Sequence, residues 1–384
     1  MKRKAIWVVS ALLVLVMGAG LLTGCSKSEA EPVRNPLTGS TDFDESKENA
    51  RPVALVVENT PDSRPQWGMT DENYSPDIIL QGEVEGGITR TLWFYADYTK
   101  LPEKIGPMRS ARPPYIKFSE MFDAIFIHWG QSTSSSEYTG ANTVFKEDKV
   151  DHINQMTYKG KVDLFSRDSS RDVSAEHTGV LHGDKVADAI EEKGFETTVN
   201  ENVTRLSFNK EIQDVGEDTC GKVTLTWSSH CFEDATWTYD SESGEYKTSD
   251  FENDLTRENL LILFDKTKYI TKSNYHDTGE GVTYCDYKLA GGKGKLISNG
   301  TVKDILWDVN ENNQLELYTL VESEDSDNAK DKDSEDSEPE KEIVSLNPGK
   351  TWIGWASSNN GGKVKIEKLK EKKTSEESSK DSDK

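Results

Sequence analysis

The chain contains 384 residues, of which 34% are hydrophobic and 30% charged, and its formal net charge is −23. This length suggests two domains. The excess of acidic residues excludes an overall basic surface for binding nucleic acid, but it is compatible with a local basic patch. A protein that crosses a membrane many times is also excluded, because only one segment, near the start, is long and apolar enough to span it.

The first residues have the layout of a secretory signal peptide. A basic Lys-Arg-Lys run precedes an apolar segment from Ile6 to Leu22, which ends in the sequence Leu-Thr-Gly-Cys25. That ending resembles the bacterial lipobox, in which small residues precede a cysteine that is lipidated and becomes the new N-terminus. We therefore predict a signal peptide over residues 1–24 and a lipoprotein anchored by acyl chains such as palmitate on Cys25, at the extracytoplasmic face of the cell membrane. The alternative is an uncleaved transmembrane anchor, for which about 17 apolar residues are short.

The mature chain is predicted to begin with a lipidated tether and a first folded domain. Residues 25–50 are polar and poor in apolar side chains, which is typical of a tether. Residues 51–195 form the predicted mixed α/β domain, because strand-like and helix-like segments alternate there. The predicted strands are 53–57, 78–80, 91–95 and 124–127, and the predicted helices are 115–122 and 185–193.

A second, β-rich domain is predicted over residues 196–369. Short strand-like segments separated by Gly, Asn and Asp turns indicate a mostly antiparallel arrangement, so the fold class is α+β. These segments are 203–208, 222–228, 235–239, 260–264, 282–287, 294–298, 302–307 and 314–321. Within the domain, residues 322–342 carry eleven acidic and three basic side chains, which predicts a disordered acidic loop. A calcium-attracting tract and an acidic partner-binding loop are the alternatives, and residues 370–384 are predicted to be a disordered tail.

Three cysteines remain once Cys25 is assigned to lipid, and all of them lie in the second half. An extracytoplasmic location permits one disulfide, either Cys220 with Cys231, which flank a strand-like segment, or Cys231 with Cys285. The spacing of the cysteines and histidines predicts no metal site. The sequence also contains no P-loop or dinucleotide fingerprint, so we predict no cofactor.

The densest cluster of polar residues lies in the first domain, in the segments 83–90 and 106–112. The planar guanidinium group of arginine can donate two hydrogen bonds to a carboxylate or a phosphate. A local cluster of positive charge would stand out in so acidic a chain. We therefore predict a ligand-binding site for an anionic envelope polymer or a protein partner. Its residues are Arg90, Arg109, Ser110 and Arg112.

Two other interpretations of this cluster stay open. In the first, Arg90 and Arg109 pair internally with Glu83, Glu85 or Asp77 and only hold two loops together. In the second, His128 at the end of the fourth strand acts as a general base oriented by Glu83 or Glu85, as in an envelope hydrolase or transferase. Binding is the leading interpretation, because no complete catalytic motif is present.

Several motifs resemble the YerB-like lipoproteins, a two-domain family of unknown function. They are the runs EGGITR and GPMRSARPPY, the strand that ends in His128, and the later run NPGKTW. The resemblance covers roughly residues 51–357. It implies a two-domain α+β architecture and membrane anchorage, and it implies no activity. The acidic loop at 322–342 is an addition to the family pattern.

Overall fold

The computed structural model describes residues 32–273, 279–321 and 339–369. The predicted signal peptide, Cys25, the tail from residue 370 and the acidic stretch 322–338 lie outside the described residues. Within them, no helix is long and apolar enough to cross a membrane.

The described residues contain three α-helices and twenty-one strands, numbered here in chain order. The helices α1 to α3 are Pro113–Glu120, Ala141–Glu147 and Val186–Lys193. The strands β1 to β21 are Val53–Glu58, Ile78–Glu83, Thr89–Tyr95, Ile125–His128, His152–Asn154, Phe165–Arg167, Gly179–Leu181, Asp218–Thr219, Lys222–Thr226, Ala235–Asp240, Glu245–Thr248, Leu255–Arg257, Asn259–Asp265, Thr267–Lys272, Val282–Tyr287, Gly292–Ser298, Thr301–Val309, Leu315–Leu320, Lys341–Ile343, Thr351–Ser357 and Lys363–Glu367.

Strands from both halves of the chain form one twelve-stranded sheet. Its order is β19-β18-β17-β16-β13-β20-β2-β3-β1-β4-β5, with β8 paired to β17. The junction is β20, which runs parallel to both β13 and β2. All seven residues of β20 are buried, as expected for a central strand that is covered on both faces. Smaller sheets join β12-β11-β10-β9-β21, β14-β15 and β6-β7.

The α+β fold class predicted from the sequence is confirmed. The first half supplies a mixed sheet with few helices, and antiparallel pairs predominate later. The predicted strand at 53–57 becomes β1, whose continuous apolar run, with three valines, is buried at every position. The tryptophans of the second half fill the core as predicted, each at most 1% exposed. They are Trp227, Trp237, Trp307, Trp352 and Trp355.

The parallel arrangement brings the carboxyl ends of four strands to one edge of the sheet. β1 runs parallel to β4, and β4 runs parallel to β5. β3 lies antiparallel to both β1 and β2, so β2 has the same direction. Open sheets of this kind place binding sites beyond the carboxyl ends of their strands.

The structure corrects the predicted tether at its C-terminal end. Leu37 and Thr38 are each 3% exposed, and the carbonyl of Thr38 accepts a hydrogen bond from Gly349 N at 2.8 Å. Ala50 forms a bridge with Thr198. This part of the predicted tether is folded because its few apolar side chains find a core contributed by distant segments.

Two predictions in the second half also change. Residues 203–208 form no strand, only an isolated bridge between Phe208 and Leu346. Thr204 instead donates its N–H to Met121 O at 2.8 Å, so the segment packs against the end of α1. The last residues of the predicted acidic loop belong to β19, which pairs with β18.

Candidate functional site

An open cleft of about 770 Å³ lies beyond the carboxyl ends of β2, β4 and β5. We call it the arginine cleft. Glu85 follows β2, Trp129 follows β4, Asn154 ends β5, and all three line the cleft. Its volume falls within the range of pockets that bury drug-sized ligands.

The floor of the cleft depends on a glycine. Trp129 N donates to Arg109 O at 2.9 Å, and Ala111 N donates to Gly130 O at 3.0 Å. The segment around Gly130 therefore has one residue more than the segment 109–111 with which it pairs. Gly130 adopts a φ of 82°, and a Cβ there would lie 2.8 Å from Ser110 Oγ. A bulge with a left-handed glycine therefore shapes the floor.

The charged side chains that line the cleft are mostly cationic, in a chain whose net charge is −23. Four are basic and two are acidic: Arg109, Arg112, Arg167, Lys272, Glu85 and Glu176. Cations therefore outnumber carboxylates among the lining residues, which include Arg109, Ser110 and Arg112 of the predicted site. Arg90 is not among its lining residues.

Glu85 holds two of the predicted arginines in an internal ion-pair network. Arg112 Nε donates to Glu85 Oε2 at 2.7 Å, its Nη2 pairs with Oε1, and Arg90 Nη2 lies 3.2 Å from the same oxygen. Burial opposes ionisation of Glu85, but the guanidinium groups of Arg112 and Arg90 hold its pKa well below the usual range. Arg90 is 2% exposed and also donates to Ser110 O, so its position is that of an internal brace.

Arg109 lies between a buried and an exposed carboxylate. Its Nε lies 3.3 Å from Glu58 Oε1, and its Nη1 lies 3.1 Å from Glu176 Oε2. The side chain of Glu58 is 2% exposed and that of Glu176 is 60% exposed. The hydrogen bond from Arg109 lowers the pKa of Glu176. Glu58 also contacts His177 Nδ1 at 2.9 Å, a pairing across 119 residues of sequence.

Two further cations, which the sequence reasoning missed, contact neutral groups. The Arg167 guanidinium lies 4.5 Å from the ring centroid of Trp129, and its Nη1 donates to Ala175 O. Lys272 Nζ donates to Thr133 Oγ1 at 2.8 Å and to Thr133 O at 3.0 Å. Neither contact is an ion pair, so an anion can approach both cations without breaking any ion pair seen in the described part of the chain.

His128 is placed away from the carboxylates proposed to orient it. Its Nδ1 lies 2.6 Å from Gly130 O and its Nε2 lies 2.9 Å from His152 Nδ1. Burial lowers the pKa of His128 to about 3 and that of His152 to about 4, so both rings are neutral at pH 7. Glu83 instead accepts a hydrogen bond from Tyr269 Oη at 2.7 Å. The predicted general base with Glu83 or Glu85 is therefore not assembled.

The three cysteines of the second half are free thiols, so the predicted disulfide between Cys220 and Cys231 is not formed in this structure. The two residues lie beyond opposite ends of β9, whose extended backbone keeps them apart. Burial raises the pKa of Cys220 to about 11 and that of Cys231 to about 12, and it also raises the pKa of Cys285. The described part of the chain contains no group of three or more His, Cys, Asp or Glu side chains suited to a metal ion.

Comparison with known proteins gives three related findings. Residues 37–196 match the family described as "Protein of unknown function (DUF3048) N-terminal domain". The chain is 27% identical over 294 residues to a Bacillus subtilis (strain 168) protein named "Putative lipoprotein YerB", a match that covers 75% of this chain and 83% of that protein. The crystal structure of YerB protein from Bacillus subtilis has a TM-score of 0.62 at 24% identity and covers 86% of this chain and 99% of its own. The resemblance indicated by the motifs is thus confirmed.

Proposed function

We propose that this chain, which is homologous to the Bacillus subtilis protein YerB over most of its length and carries a DUF3048 N-terminal domain, is a lipoprotein of the extracytoplasmic membrane face. Two observations support the proposal: the name of that relative, "Putative lipoprotein YerB", and the lipobox-like sequence that ends in Cys25. The lipid bilayer is then a partner through the acyl chains. Labelled palmitate should enter the wild-type chain and the Ser26→Ala control, but not Cys25→Ser. Equal labelling of Cys25→Ser would contradict the proposal.

The arginine cleft is the proposed binding site of this lipoprotein, and its ligand is an anionic group of the envelope. The observation that carries the proposal is the pair of cations, Arg167 and Lys272, whose contacts among the described residues are with neutral groups, in a cleft at the carboxyl ends of parallel strands. The position of such a cleft is typical of ligand sites in open sheets.

The acidic balance of the whole chain does not prevent anion binding in the cleft. At physiological ionic strength, charges further apart than about 8 Å are largely screened from each other in water. An anion inside the cleft therefore interacts chiefly with the charges that line it, of which four are cations and two are carboxylates. Arg109 adds a planar fork beside Arg167, and its contact with the exposed Glu176 is of the weak surface type.

The test substitutes Arg109 by lysine, which keeps a charge beside the buried Glu58 and removes the fork. Phosphate binding to the full chain in non-ionic detergent is followed by titration calorimetry. We expect Arg109→Lys to weaken binding several-fold with a thermal midpoint within about 2 °C of wild type. Arg205→Lys, outside the cleft, is the matched control. Absence of binding in the wild type, or equal binding in both variants, would overturn the proposal.

An acidic segment of a protein partner is the second candidate ligand. The observation that favours it is the Glu176 carboxylate, which already contacts the Arg109 fork. A soluble poly-glutamate should then bind the wild type more tightly than phosphate does.

A further inference from the structure

We infer that the arginine cleft takes a linear polyanion, a polyol chain joined by phosphodiesters, which contacts two separate cationic positions at once. This inference rests on the proposed anion-binding function and specifies the class of ligand. It is carried by the placement of Arg167 and Lys272 and by the polar floor between them.

The two cations are attached to opposite ends of one short segment of the floor. Arg167, on β6, lies over the ring of Trp129, where the segment begins. Lys272, at the end of β14, donates two hydrogen bonds to Thr133, where the segment ends. Residues from both halves of the chain therefore contribute a cation each.

The two cations contact residues that lie several positions apart along this segment. Thr133 follows Trp129 by four positions, and the bulge at Gly130 removes one step of the segment. Gln131 makes an isolated bridge with Ala111, and three residue steps at the extended spacing span at most about 10 Å. A chain with a charge on every repeat can present one anion to each of these two positions, whereas a single phosphate offers one anionic group.

The floor between the cations presents hydroxyl and amide groups. Ser110, Gln131 and Asn154 line this part of the cleft. Ser110 Oγ donates to Trp129 O at 3.2 Å, and Asn154 Nδ2 approaches Gln131 Oε1 at 3.5 Å. Such groups suit the hydroxyls of a polyol. An extended peptide is recognised instead through pockets for alternate side chains.

The experiment compares a synthetic linear hexamer of glycerol phosphate with monomeric glycerol phosphate and with poly-glutamate, using the full chain in non-ionic detergent. We expect the hexamer to bind at least tenfold more tightly than the monomer. Arg167→Ala and Lys272→Ala should each weaken hexamer binding about tenfold, since a hydrogen bond to a charged group has that magnitude. The double variant should lose about a hundredfold. Lys365→Ala, an exposed lysine of β21, is the charge-matched control.

The alternative outcomes separate this inference from the proposed function. Hexamer and monomer affinities within twofold would overturn the two-position inference and leave anion binding intact. Tighter binding of poly-glutamate than of the hexamer would overturn the phosphodiester class and favour a protein partner. No binding of any of the three would overturn the proposed function itself. Hexamer binding that Lys272→Ala and Lys365→Ala weaken equally would show a general charge effect and overturn the inference.

Discussion

Replacing Glu85 by glutamine tests whether the cleft is built on a buried ion-pair network. The substitution keeps the shape of the side chain and removes the charge that compensates Arg90 and Arg112. Both arginines are less than a tenth exposed, so water cannot replace the lost carboxylate. Breaking a buried pair in this way leaves an uncompensated buried charge, which is strongly destabilising.

The expected loss follows from comparison with an exposed pair. Removing one partner of a buried pair costs about 3–5 kcal/mol of unfolding free energy. Removing one partner of an exposed pair costs about 0–1 kcal/mol. Glu176→Gln is the matched control, because it makes the same chemical change at the mouth of the same cleft.

The assay is urea denaturation of both variants and the wild type at pH 7, followed by tryptophan fluorescence. The pKa of Glu85 is depressed in the folded protein, so its contribution is present above its unfolded pKa of 4.5 and is lost as the pH falls below that value. The difference between Glu85→Gln and the wild type should therefore shrink in acid. A loss below about 1 kcal/mol at pH 7, equal to that of Glu176→Gln, would refute the network as the support of the cleft.

Four other predictions follow from the same contacts. The pKa of His128 falls from 6.5 to about 3 on folding, so between these pH values only the unfolded chain binds a proton at this ring. The free energy of unfolding should therefore fall by about 2–3 kcal/mol from pH 7 to pH 4.5. A His128→Gln variant whose stability depends on pH as that of the wild type does would contradict this. Tyr115→Phe removes the hydrogen bonds to Gly82 O and Arg90 O and should lower the free energy of unfolding by about 1–2 kcal/mol, measured by urea denaturation. An unchanged free energy of unfolding would show that these hydrogen bonds do not stabilise the fold. Glu176→Gln should increase phosphate affinity, measured by calorimetry, because it removes a competing carboxylate from the Arg109 fork; weaker binding would argue the reverse. Thiol titration of denatured Cys25→Ser protein should count three thiols, and a count of one would reveal a disulfide.

The candidate site could be predicted from the sequence only where its residues are neighbours along the chain. Arg109, Ser110 and Arg112 are close in sequence, and their charge stands out in an acidic protein. Arg167 and Lys272 carry no such local signal, because each lies at the end of a strand far along the chain from the cluster at 106–112. His128 shows the opposite case, since its position at a strand end suggested a general base and the fold buries it against His152.

Local patterns by themselves determined the α+β class and most of the strands. A continuous apolar run such as β1 is buried wherever the chain folds, so its burial can be read from its composition. Only the tertiary structure decided which strands meet, because a run such as β20 satisfies the same pattern beside any buried neighbour. Its insertion between β13 and β2 joins the two halves of the chain in one sheet, and the β14–β15 hairpin brings Lys272 to the arginine cleft. Backbone N–H and C=O groups can pair whatever the sequence separation of their residues, so no local sequence pattern indicates which strands pair here.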